Sequence, residues 1–363
     1  MSNSHATKKV GILTLPLTHN YGGLLQCIAL QIVLQEMGFQ ILVFNRGKNE
    51  PAWRRTTKKV LFRHYFAEIE RFKNIHLTNR TRLLTNSNNL RQEISTSTLD
   101  AIVVGSDQVW RELYSVGDFS DNFLAFLEDT AVTKVAYAAS FGVATIKTPR
   151  ATAEISEALK TFNGISVREQ SGLKILKDTF GVQNATLALD PTLLLPKNFY
   201  EQLCDDAKSV PSKKTLAVYV LDERDLTLSQ IDSVAGRMSL SVVQIKHQPK
   251  HSWRRIFQQK AGVGAWLQTI KNADFVITDS YHGMLFSILF KKQFVVLVNE
   301  KRGATRFESL AQQLGIQDRL VKDVTISNEP SWFTDDIDYI AVDTKLAKLR
   351  EVSLEFLKNN LNG

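Results

Sequence analysis

Residues 10–44 read VGILTLPLTHNYGGLLQCIALQIVLQEMGFQILVF, and they decide the fold class of the chain. An apolar run over residues 10–15 ends at a proline, and a polar loop with two glycines follows. Apolar residues then recur at helical spacing over residues 22–37, and a glycine ends that pattern. A second apolar run occupies residues 41–44. A buried strand, a helix and another buried strand in this order predict a parallel βαβ unit.

The same alternation of short apolar runs and helical periodicity continues along the chain. In the first half, strands are predicted at residues 101–104, 135–138, 164–167 and 187–189. A stretch rich in Lys, Pro, Ser and Asp at 195–214 precedes a second series, with strands at 216–221, 241–245, 275–277 and 294–298 and helices at 256–259, 263–270, 283–290 and 306–314. Helical spacing returns in the tail over residues 344–359.

We therefore predict an α/β fold with two doubly wound Rossmann-like domains facing across a cleft and a C-terminal helix, an arrangement that resembles the GT-B architecture. The length of 363 residues agrees with two domains, because single domains run to about 100–200 residues. The predicted domains are residues 1–198 and 199–340, and a helix at 341–363 closes the chain. Ligands of such sheets bind beyond the carboxyl ends of the strands, so the loops after strands are the candidate sites.

Composition narrows the class of protein. The first ten residues lack the apolar segment of a signal peptide, and the longest apolar runs are too short to span a bilayer. Cys27 and Cys204 have no metal-ligand spacing, and two isolated cysteines indicate no disulfide framework. We expect a cytoplasmic protein without a metal site.

The loop after the first strand is a candidate acceptor site formed by Asn20, Tyr21, Gly22 and Gly23. Two glycines allow a ligand to approach the backbone, and a helix N-terminus presents free N–H groups to an anion. The alternative is a flexible helix start with no ligand.

The loop after the strand at 101–104 carries Asp107, Gln108 and Trp110. Asp107 can accept a hydrogen bond from a sugar hydroxyl or act as a base, and the three residue types together suit a carbohydrate. The alternative is that Ser106 or Asp107 caps the next helix.

Arg168 follows the strand at 164–167 and suits a carboxylate or phosphate, because its planar fork binds two oxygens. The alternative is a salt bridge to Glu169 or Asp190.

Two loops of the second half are candidate donor sites. The first contains His282, which can transfer a proton near neutral pH or hold a phosphate, and the alternative is a structural histidine at a helix start. The second, over residues 300–306, places Arg302 and Arg306 around a glycine, which suits an anionic donor. The alternative there is a solvated basic turn.

Seven motifs in order resemble those of the polysaccharide pyruvyl transferase family over about residues 10–320. They are NYGGLLQ (20–26), VVGSDQVW (103–110), YAASFG (137–142), SVRE (166–169), LDPTLLL (189–195), TDSYHG (278–283) and RFESLAQQLGI (306–316).

The resemblance implies a GT-B-like fold, phosphoenolpyruvate as donor, no metal or organic cofactor, and a pyruvate ketal on sugars of exopolysaccharides, capsules or cell-wall polymers. It also implies that Arg168 and His282 belong to the donor site, with Ser280 and Tyr281 beside the histidine. Some members carry an Arg where this chain has Ser280, and Arg302 or Arg306 is then a candidate for the missing charge. Asp107 or Asp279 is the candidate base for the sugar hydroxyl.

Residues 46–91 contain twelve Lys or Arg and three Asp or Glu, a net charge of +9, whereas the whole chain carries +8. Cations mixed with aromatics around Trp53 and Phe62 predict an interfacial helix on anionic lipid, which suits a lipid-linked oligosaccharide as acceptor. The alternatives are a solvated helix or one that grips an anionic glycan. No nucleic-acid-binding motif accompanies the charge.

Two other classes of protein stay open. One is a nucleotide-sugar glycosyltransferase of the same architecture, for which the sequence shows no base-binding feature. The other is a non-catalytic glycan-binding homologue, which Ser280 favours. The acidic residues Asp335, Asp336 and Asp338 resemble a metal motif and are interpreted as a solvated turn.

Overall fold

The computed structural model describes residues 7–127, 130–146, 152–204, 213–222, 226–245, 259–298, 303–325 and 330–362. The chain divides into two compact units. The first unit contains Met1–Arg55, Asn74–Leu195 and Lys348–Gly363, and the second contains Thr56–Lys73 and Pro196–Ala347.

The strands are β1 (Lys9–Leu13), β2 (Gln40–Val43), β3 (Ala101–Val104), β4 (Thr133–Ala139), β5 (Gly164–Val167), β6 (Thr186–Leu187), β7 (Thr215–Tyr219), β8 (Ser241–Gln244), β9 (Phe275–Thr278), β10 (Gln293–Leu297) and β11 (Leu320–Val321). The α-helices are α1 (Tyr21–Glu36), α2 (Ala52–Leu61), α3 (Ala67–His76), α4 (Ser87–Thr96), α5 (Thr152–Lys160), α6 (Gln170–Phe180), α7 (Lys197–Gln202), α8 (Leu228–Met238), α9 (Val263–Asn272), α10 (Tyr281–Leu289), α11 (Ala304–Leu314), α12 (Ser331–Thr334) and α13 (Tyr339–Leu361).

The first unit is built on a six-stranded parallel sheet in the order β2-β1-β3-β4-β5-β6. β1 pairs with β2 on one side and with β3 on the other, so the strand order reverses between β1 and β3. In doubly wound sheets a ligand binds at such a reversal, beyond the carboxyl ends of the strands. The loops after β1 and β3 therefore hold the candidate residues of this unit.

Helix α1 lies in the core of the first unit and is buried around most of its circumference. Its apolar residues follow one another without a wide polar face, and it packs against the short 3-10 helix Pro191–Leu193. A helix that is apolar all round is stable only when it is covered on all sides. This burial fixes the position of the helix start, where the first candidate loop lies.

The second unit is built on a five-stranded parallel sheet in the order β11-β10-β9-β7-β8. Its strand order reverses between β7 and β9, which pair in parallel. The core packs Leu216 and Val218 of β7 against Ile277 of β9 and Val295 of β10. Helices α10 and α11 begin just after β9 and β10, so their N-termini lie at the carboxyl ends of these strands.

Helix α13 contributes to each unit through a different part of its length. In the second unit, Lys345 Nζ donates to the carbonyl of Leu314 at 2.9 Å. In the first unit, Ser353 Oγ accepts a hydrogen bond from Leu189 N at 3.0 Å. The ring of Phe356 lies 6.3 Å from that of Tyr137. The predicted fold class, two Rossmann-like α/β domains with a C-terminal helix, is confirmed.

The observed elements differ from the predicted ones mainly at their ends. The strand predicted at residues 10–15 ends at Leu13, and the Thr14 side chain joins a polar network just beyond it. The helix predicted around Trp53 and Phe62 is observed as α2, which ends at Leu61, and a separate helix, α3, begins at Ala67. The helix predicted at 256–259 lies, apart from its last residue, outside the described residues. Among the helices that the structure describes, none is long and apolar enough to cross a bilayer.

Candidate functional site

The loop after β1 ends at Asn20, which caps α1 by accepting a hydrogen bond from Gly22 N at 3.2 Å. Asn20 is exposed, whereas Tyr21 and Gly22 are buried. A Cβ added at Gly23 would lie 3.6 Å from atoms of Asn20, an ordinary contact. Packing therefore does not require a glycine at this position, and acceptor binding by these residues stays a prediction.

A buried polar network joins the ends of β1 and β3. Gln26 donates from Nε2 to Thr14 Oγ1 at 3.1 Å and accepts at Oε1 from Ser106 N at 3.1 Å. Thr14 Oγ1 donates to the carbonyl of Ser106 at 3.1 Å. These contacts hold the loop that carries Asp107. The sequence contained no sign of this network beyond the position of Gln26 in the NYGGLLQ motif.

Asp107 adopts a left-handed backbone conformation, with φ of 69°. Its carbonyl accepts hydrogen bonds from Val109 N at 2.7 Å and Ser140 N at 3.0 Å, which tie the loop after β3 to the end of β4. The short helix that follows in the described chain starts after Arg111, so Asp107 does not serve as its cap. The side chain of Asp107 points to Arg168 instead.

Arg168 lies between two carboxylates in the interior of the first unit. Its Nη2 donates to Asp107 Oδ1 at 2.8 Å, and its Nη1 donates to Asp190 Oδ2 at 2.7 Å. The other oxygen of Asp190 accepts from Thr192 N at 3.1 Å and Thr192 Oγ1 at 2.8 Å. The Arg168 and Asp190 side chains have no exposed surface, whereas that of Asp107 is 8% exposed. The salt bridge to Asp190 that the sequence left open is present.

Glu169, which the sequence left open as a partner of Arg168, binds groups at the turn after β4. Its Oε1 accepts three hydrogen bonds, from Ser140 Oγ and Phe141 N at 2.9 Å and from Gly142 N at 3.1 Å. The residue is fully buried. Glu169 thus holds the turn after β4. The other charged residue of the SVRE motif, Arg168, forms the ion pairs with Asp107 and Asp190.

Trp110 is a core residue of the first unit. Its Nε1 donates to the carbonyl of Asn122 at 3.0 Å, and its ring stacks on Phe123 with centroids 5.0 Å apart. No ring face remains for a sugar, because Trp110 is almost completely buried. Gln108 is also buried, and its Oε1 accepts from Arg111 Nη1 at 2.7 Å.

Two buried ionisable groups close to these loops are held in their neutral forms. Burial raises the pKa of the Cys27 thiol to about 12, which suppresses the reactive thiolate. Burial also raises the pKa of Tyr137, whose hydroxyl donates to the carbonyl of Leu189 at 2.9 Å. Neither group is suited to be a nucleophile or base near neutral pH.

In the second unit, Asp279 joins the two strand ends at the reversal of strand order. Its Oδ1 accepts from Leu221 N at 2.7 Å, and its Oδ2 accepts from Asp222 N at 2.9 Å. Both carboxylate oxygens therefore bind the backbone that follows β7. The geometry gives Asp279 a part in holding the loops together.

Ser280 is the N-cap of α10. Its Oγ accepts from Gly283 N at 3.3 Å, and its own N–H donates to Thr278 Oγ1 at 3.0 Å. Thr278 in turn donates to the carbonyl of Tyr219 at 2.7 Å, which ties β9 to β7. The neighbouring His282 occupies the first turn of the helix and is buried.

The N-termini of α10 and α11 meet at an aromatic and cationic contact. The guanidinium of Arg306 lies 5.1 Å from the ring centroid of Tyr281, within the range of a cation–π interaction. The Tyr281 ring lies 5.8 Å from that of His282 and 5.5 Å from that of Phe307. The structure thus brings Tyr281, His282 and Arg306 together. Arg302 lies outside the described residues.

The two clusters have different chemistry. In the first unit, Asp107 is paired with the buried Arg168. In the second unit, His282 and Arg306 lie at two helix N-termini, where positive potential favours an anion. Within the described ranges, no group of three or more His, Cys, Asp or Glu side chains is placed to hold a metal ion.

Comparison with known protein families is decisive for the class of protein. The family described as polysaccharide pyruvyl transferase matches residues 20–301, more than three quarters of the chain. The chain belongs to the polysaccharide pyruvyl transferase family. The matched range contains both clusters except Arg306. A search of curated proteins found no match to this family member.

Solved structures similar to this pyruvyl transferase family member share its fold at low sequence identity. A complex of Arabidopsis thaliana UGT89C1 with UDP-L-rhamnose is 10% identical, covers 99% of this chain and 98% of its own, and has a TM-score of 0.56. UDP-GlcNAc 2-epimerase from Neisseria meningitidis bound to UDP-GlcNAc is 10% identical, with 98% and 100% coverage and a TM-score of 0.55. The S. aureus MnaA-UDP structure is 12% identical, with 98% and 97% coverage and a TM-score of 0.54.

Proposed function

We propose that this protein transfers the pyruvyl group of phosphoenolpyruvate to two hydroxyls of a sugar and forms a pyruvate ketal in a surface polysaccharide. Membership of the pyruvyl transferase family supports the reaction class. The observation that carries the donor assignment is the contact of Arg306 with Tyr281 beside His282, at the N-termini of α10 and α11. Phosphoenolpyruvate has two anionic groups, which suit this cationic cluster.

The reaction forms two new bonds between sugar oxygens and C2 of phosphoenolpyruvate. A first sugar hydroxyl forms a bond to C2 while C3 gains a proton, and the hydroxyl proton passes to a base. The C2–O bond to phosphate then breaks, and inorganic phosphate leaves with that electron pair. A second hydroxyl adds to C2, loses its proton and closes the ketal ring.

The proposed roles follow from the surroundings of each side chain. His282 protonates C3 or holds the phosphate, and Arg306 offsets the negative charge of the donor. Asp107 takes the proton of the sugar hydroxyl, because its side chain keeps exposed surface. Asp279 is assigned to loop geometry, since both of its oxygens bind backbone N–H groups.

The acceptor is proposed to bind at the loops of the first unit, around Asn20 and Asp107. Asn20 is exposed at the start of α1, and its neighbour Gly23 leaves room beside the backbone. Trp110 is omitted from the proposed acceptor site because it is a core residue.

Thermal unfolding with phosphoenolpyruvate tests the donor assignment, because a ligand that binds only the folded chain raises Tm. We expect phosphoenolpyruvate to raise the Tm of the wild-type chain and to have little effect on His282→Ala or Arg306→Gln. UDP-GlcNAc serves as the control, because similar structures bind UDP-sugars. A Tm shift with UDP-GlcNAc alone would instead indicate a nucleotide-sugar glycosyltransferase.

Helix α2 supports a second proposal, that the protein binds the cytoplasmic face of an anionic membrane where a lipid-linked acceptor is presented. Trp53 is 71% exposed and Val60 is 70% exposed. These residues are seven apart and share one face of the helix, while Arg54, Arg55 and Lys58 are exposed on the rest of it. An exposed apolar stripe flanked by cations is typical of interfacial helices.

Vesicle flotation tests this second proposal. The protein should float with vesicles of phosphatidylglycerol and phosphatidylcholine, and the double substitution of Trp53→Ser and Val60→Ser should release it. Leu113→Ser is the matched control, since Leu113 is equally exposed but lies in a short 3-10 helix outside the basic segment. Equal flotation of all variants would exclude α2 as the binding element.

A further inference from the structure

The cluster of Asp190, Arg168 and Asp107 extends from a fully buried carboxylate to one with exposed surface. Asp190 is fixed at one end, because its Oδ1 binds both the N–H and the hydroxyl of Thr192. Its Oδ2 holds Arg168, and Arg168 holds Asp107. Exposure rises only at the last member, since the Asp107 side chain alone among the three charged groups has accessible surface. A ligand can therefore touch Asp107 but not the guanidinium behind it.

The charge of this cluster opposes an anionic ligand. Two carboxylates surround one guanidinium, so the three side chains together carry one formal negative charge. A phosphate or carboxylate that reached Arg168 would have to displace Asp107 or Asp190 from a buried ion pair. A carboxylate displaced in this way would be left buried without its partner, and a donor would have to offset that cost before it gained any affinity.

The backbone also favours a positioning role. Asp107 has φ of 69°, a left-handed conformation that is uncommon for residues other than glycine, although aspartate tolerates it better than most. The fork of Arg168 restrains Asp107 from the side chain, and the hydrogen bonds of the Asp107 carbonyl restrain it from the main chain. A planar fork that spans two carboxylates fixes both in direction as well as in distance.

We infer that Arg168 is a positioning residue that holds Asp107 for the acceptor, and that it does not bind phosphoenolpyruvate. The inference rests on the proposed function, because it takes Asp107 as the base and phosphoenolpyruvate as the donor. It departs from the donor-binding role that the family resemblance implied for Arg168. The donor is then held without Arg168, by the cluster of His282 and Arg306.

The experiment compares Arg168→Lys with the wild-type chain. Lysine keeps the charge but replaces the planar fork with a single ammonium nitrogen, so it cannot hold the two carboxylates in the same fixed geometry. We expect the Kd for phosphoenolpyruvate, measured by isothermal titration calorimetry, to stay within about twofold of wild type. With 4-nitrophenyl hexosides as acceptors, kcat for phosphate release should fall by about tenfold or more while KM for phosphoenolpyruvate is unchanged.

Two further variants separate positioning from loss of structure. Arg46→Lys is the matched control, because Arg46 is another buried arginine of the first unit that hydrogen-bonds Asn122 and pairs with Asp121. It should change stability but neither Kd nor kcat. Asp190→Asn keeps Arg168 and weakens its anchor, so it should lower kcat in the same direction, and it provides the test if Arg168→Lys does not fold.

The outcomes distinguish the inference from the proposed function. A loss of affinity for phosphoenolpyruvate of about tenfold or more in Arg168→Lys, with Arg46→Lys unaffected, would overturn the positioning role and make Arg168 a donor ligand. An unchanged kcat in both Arg168→Lys and Asp190→Asn would overturn it as well. A wild-type chain that does not bind phosphoenolpyruvate would overturn the proposed function itself.

Discussion

Cys27 lies in α1, where burial raises the pKa of its thiol to about 12 from a reference value of 9.0. Between these two values, the unfolded chain loses the thiol proton while the folded chain keeps it. The free energy of unfolding should therefore fall as pH rises above about 9, by up to about 1.4 kcal/mol per pH unit from this group.

Urea unfolding of the wild-type chain and Cys27→Ala at about pH 8 and about pH 10 measures this contribution. The difference in unfolding free energy between the two pH values should be smaller in Cys27→Ala. An identical pH dependence in both proteins would show that the thiol is not buried as the fold requires.

Gly283 and Gly23 look alike in sequence, since each lies in the first turn of a helix that follows a strand. A Cβ at Gly283 would overlap the Thr278 hydroxyl, whereas at Gly23 it would make an ordinary contact. We expect Gly283→Ala to lower the free energy of unfolding by about 1–3 kcal/mol, because α10 must shift away from β9. Gly23→Ala should be neutral or stabilising by up to about 1 kcal/mol, since alanine favours helix.

Urea denaturation of the two glycine variants provides the comparison. If Gly23→Ala folds well but loses turnover, the acceptor or another ligand approaches the backbone at that point. A greater loss of stability in Gly23→Ala than in Gly283→Ala would contradict the packing described for the two loops.

At the scale of elements, the last turns of α13 pack on the first unit through a narrow buried face. Leu357 is completely buried, whereas Val352 is 54% exposed on the same helix. Leu357→Ala should lower the free energy of unfolding by about 2–5 kcal/mol, because it leaves a cavity in the core. Val352→Ala should change it by less than about 0.5 kcal/mol, as is usual for surface positions. Chemical denaturation of both variants checks the pair, and equal effects would mean that α13 is not packed as described.

The elements also show where sequence patterns succeed. Helix α1 was predicted at 22–37 and is observed at Tyr21–Glu36, because its apolar spacing and the glycine after it are strong local signals. β6 was predicted at 187–189 and is observed as Thr186–Leu187, because its short length depends on pairing with β5 alone. Strand ends depend on partners that lie far away in sequence, so periodicity cannot locate them.

At the scale of the whole molecule, the proposed donor site lies within the second unit. Hydrogen exchange with and without phosphoenolpyruvate tests that placement, since binding protects amides near the ligand and leaves others unchanged. We expect added protection at the N-termini of α10 and α11 and none at the start of α1 or in the loop after β3. Protection confined to the first unit would contradict the placement of the donor.

The division between sequence and tertiary structure is clearest at the candidate site. The sequence by itself determined two series of strands and helices, because periodicity is a local property. From loop position it predicted the loops after strands as sites, with His282 and Arg306 in two separate loops. It could not separate a salt bridge from a ligand for Arg168, or a core ring from a sugar platform for Trp110. Those outcomes depend on which side chains meet after folding. Asp107, Arg168 and Asp190 are far apart in sequence and converge only because β3, β4, β5 and β6 lie side by side in one parallel sheet.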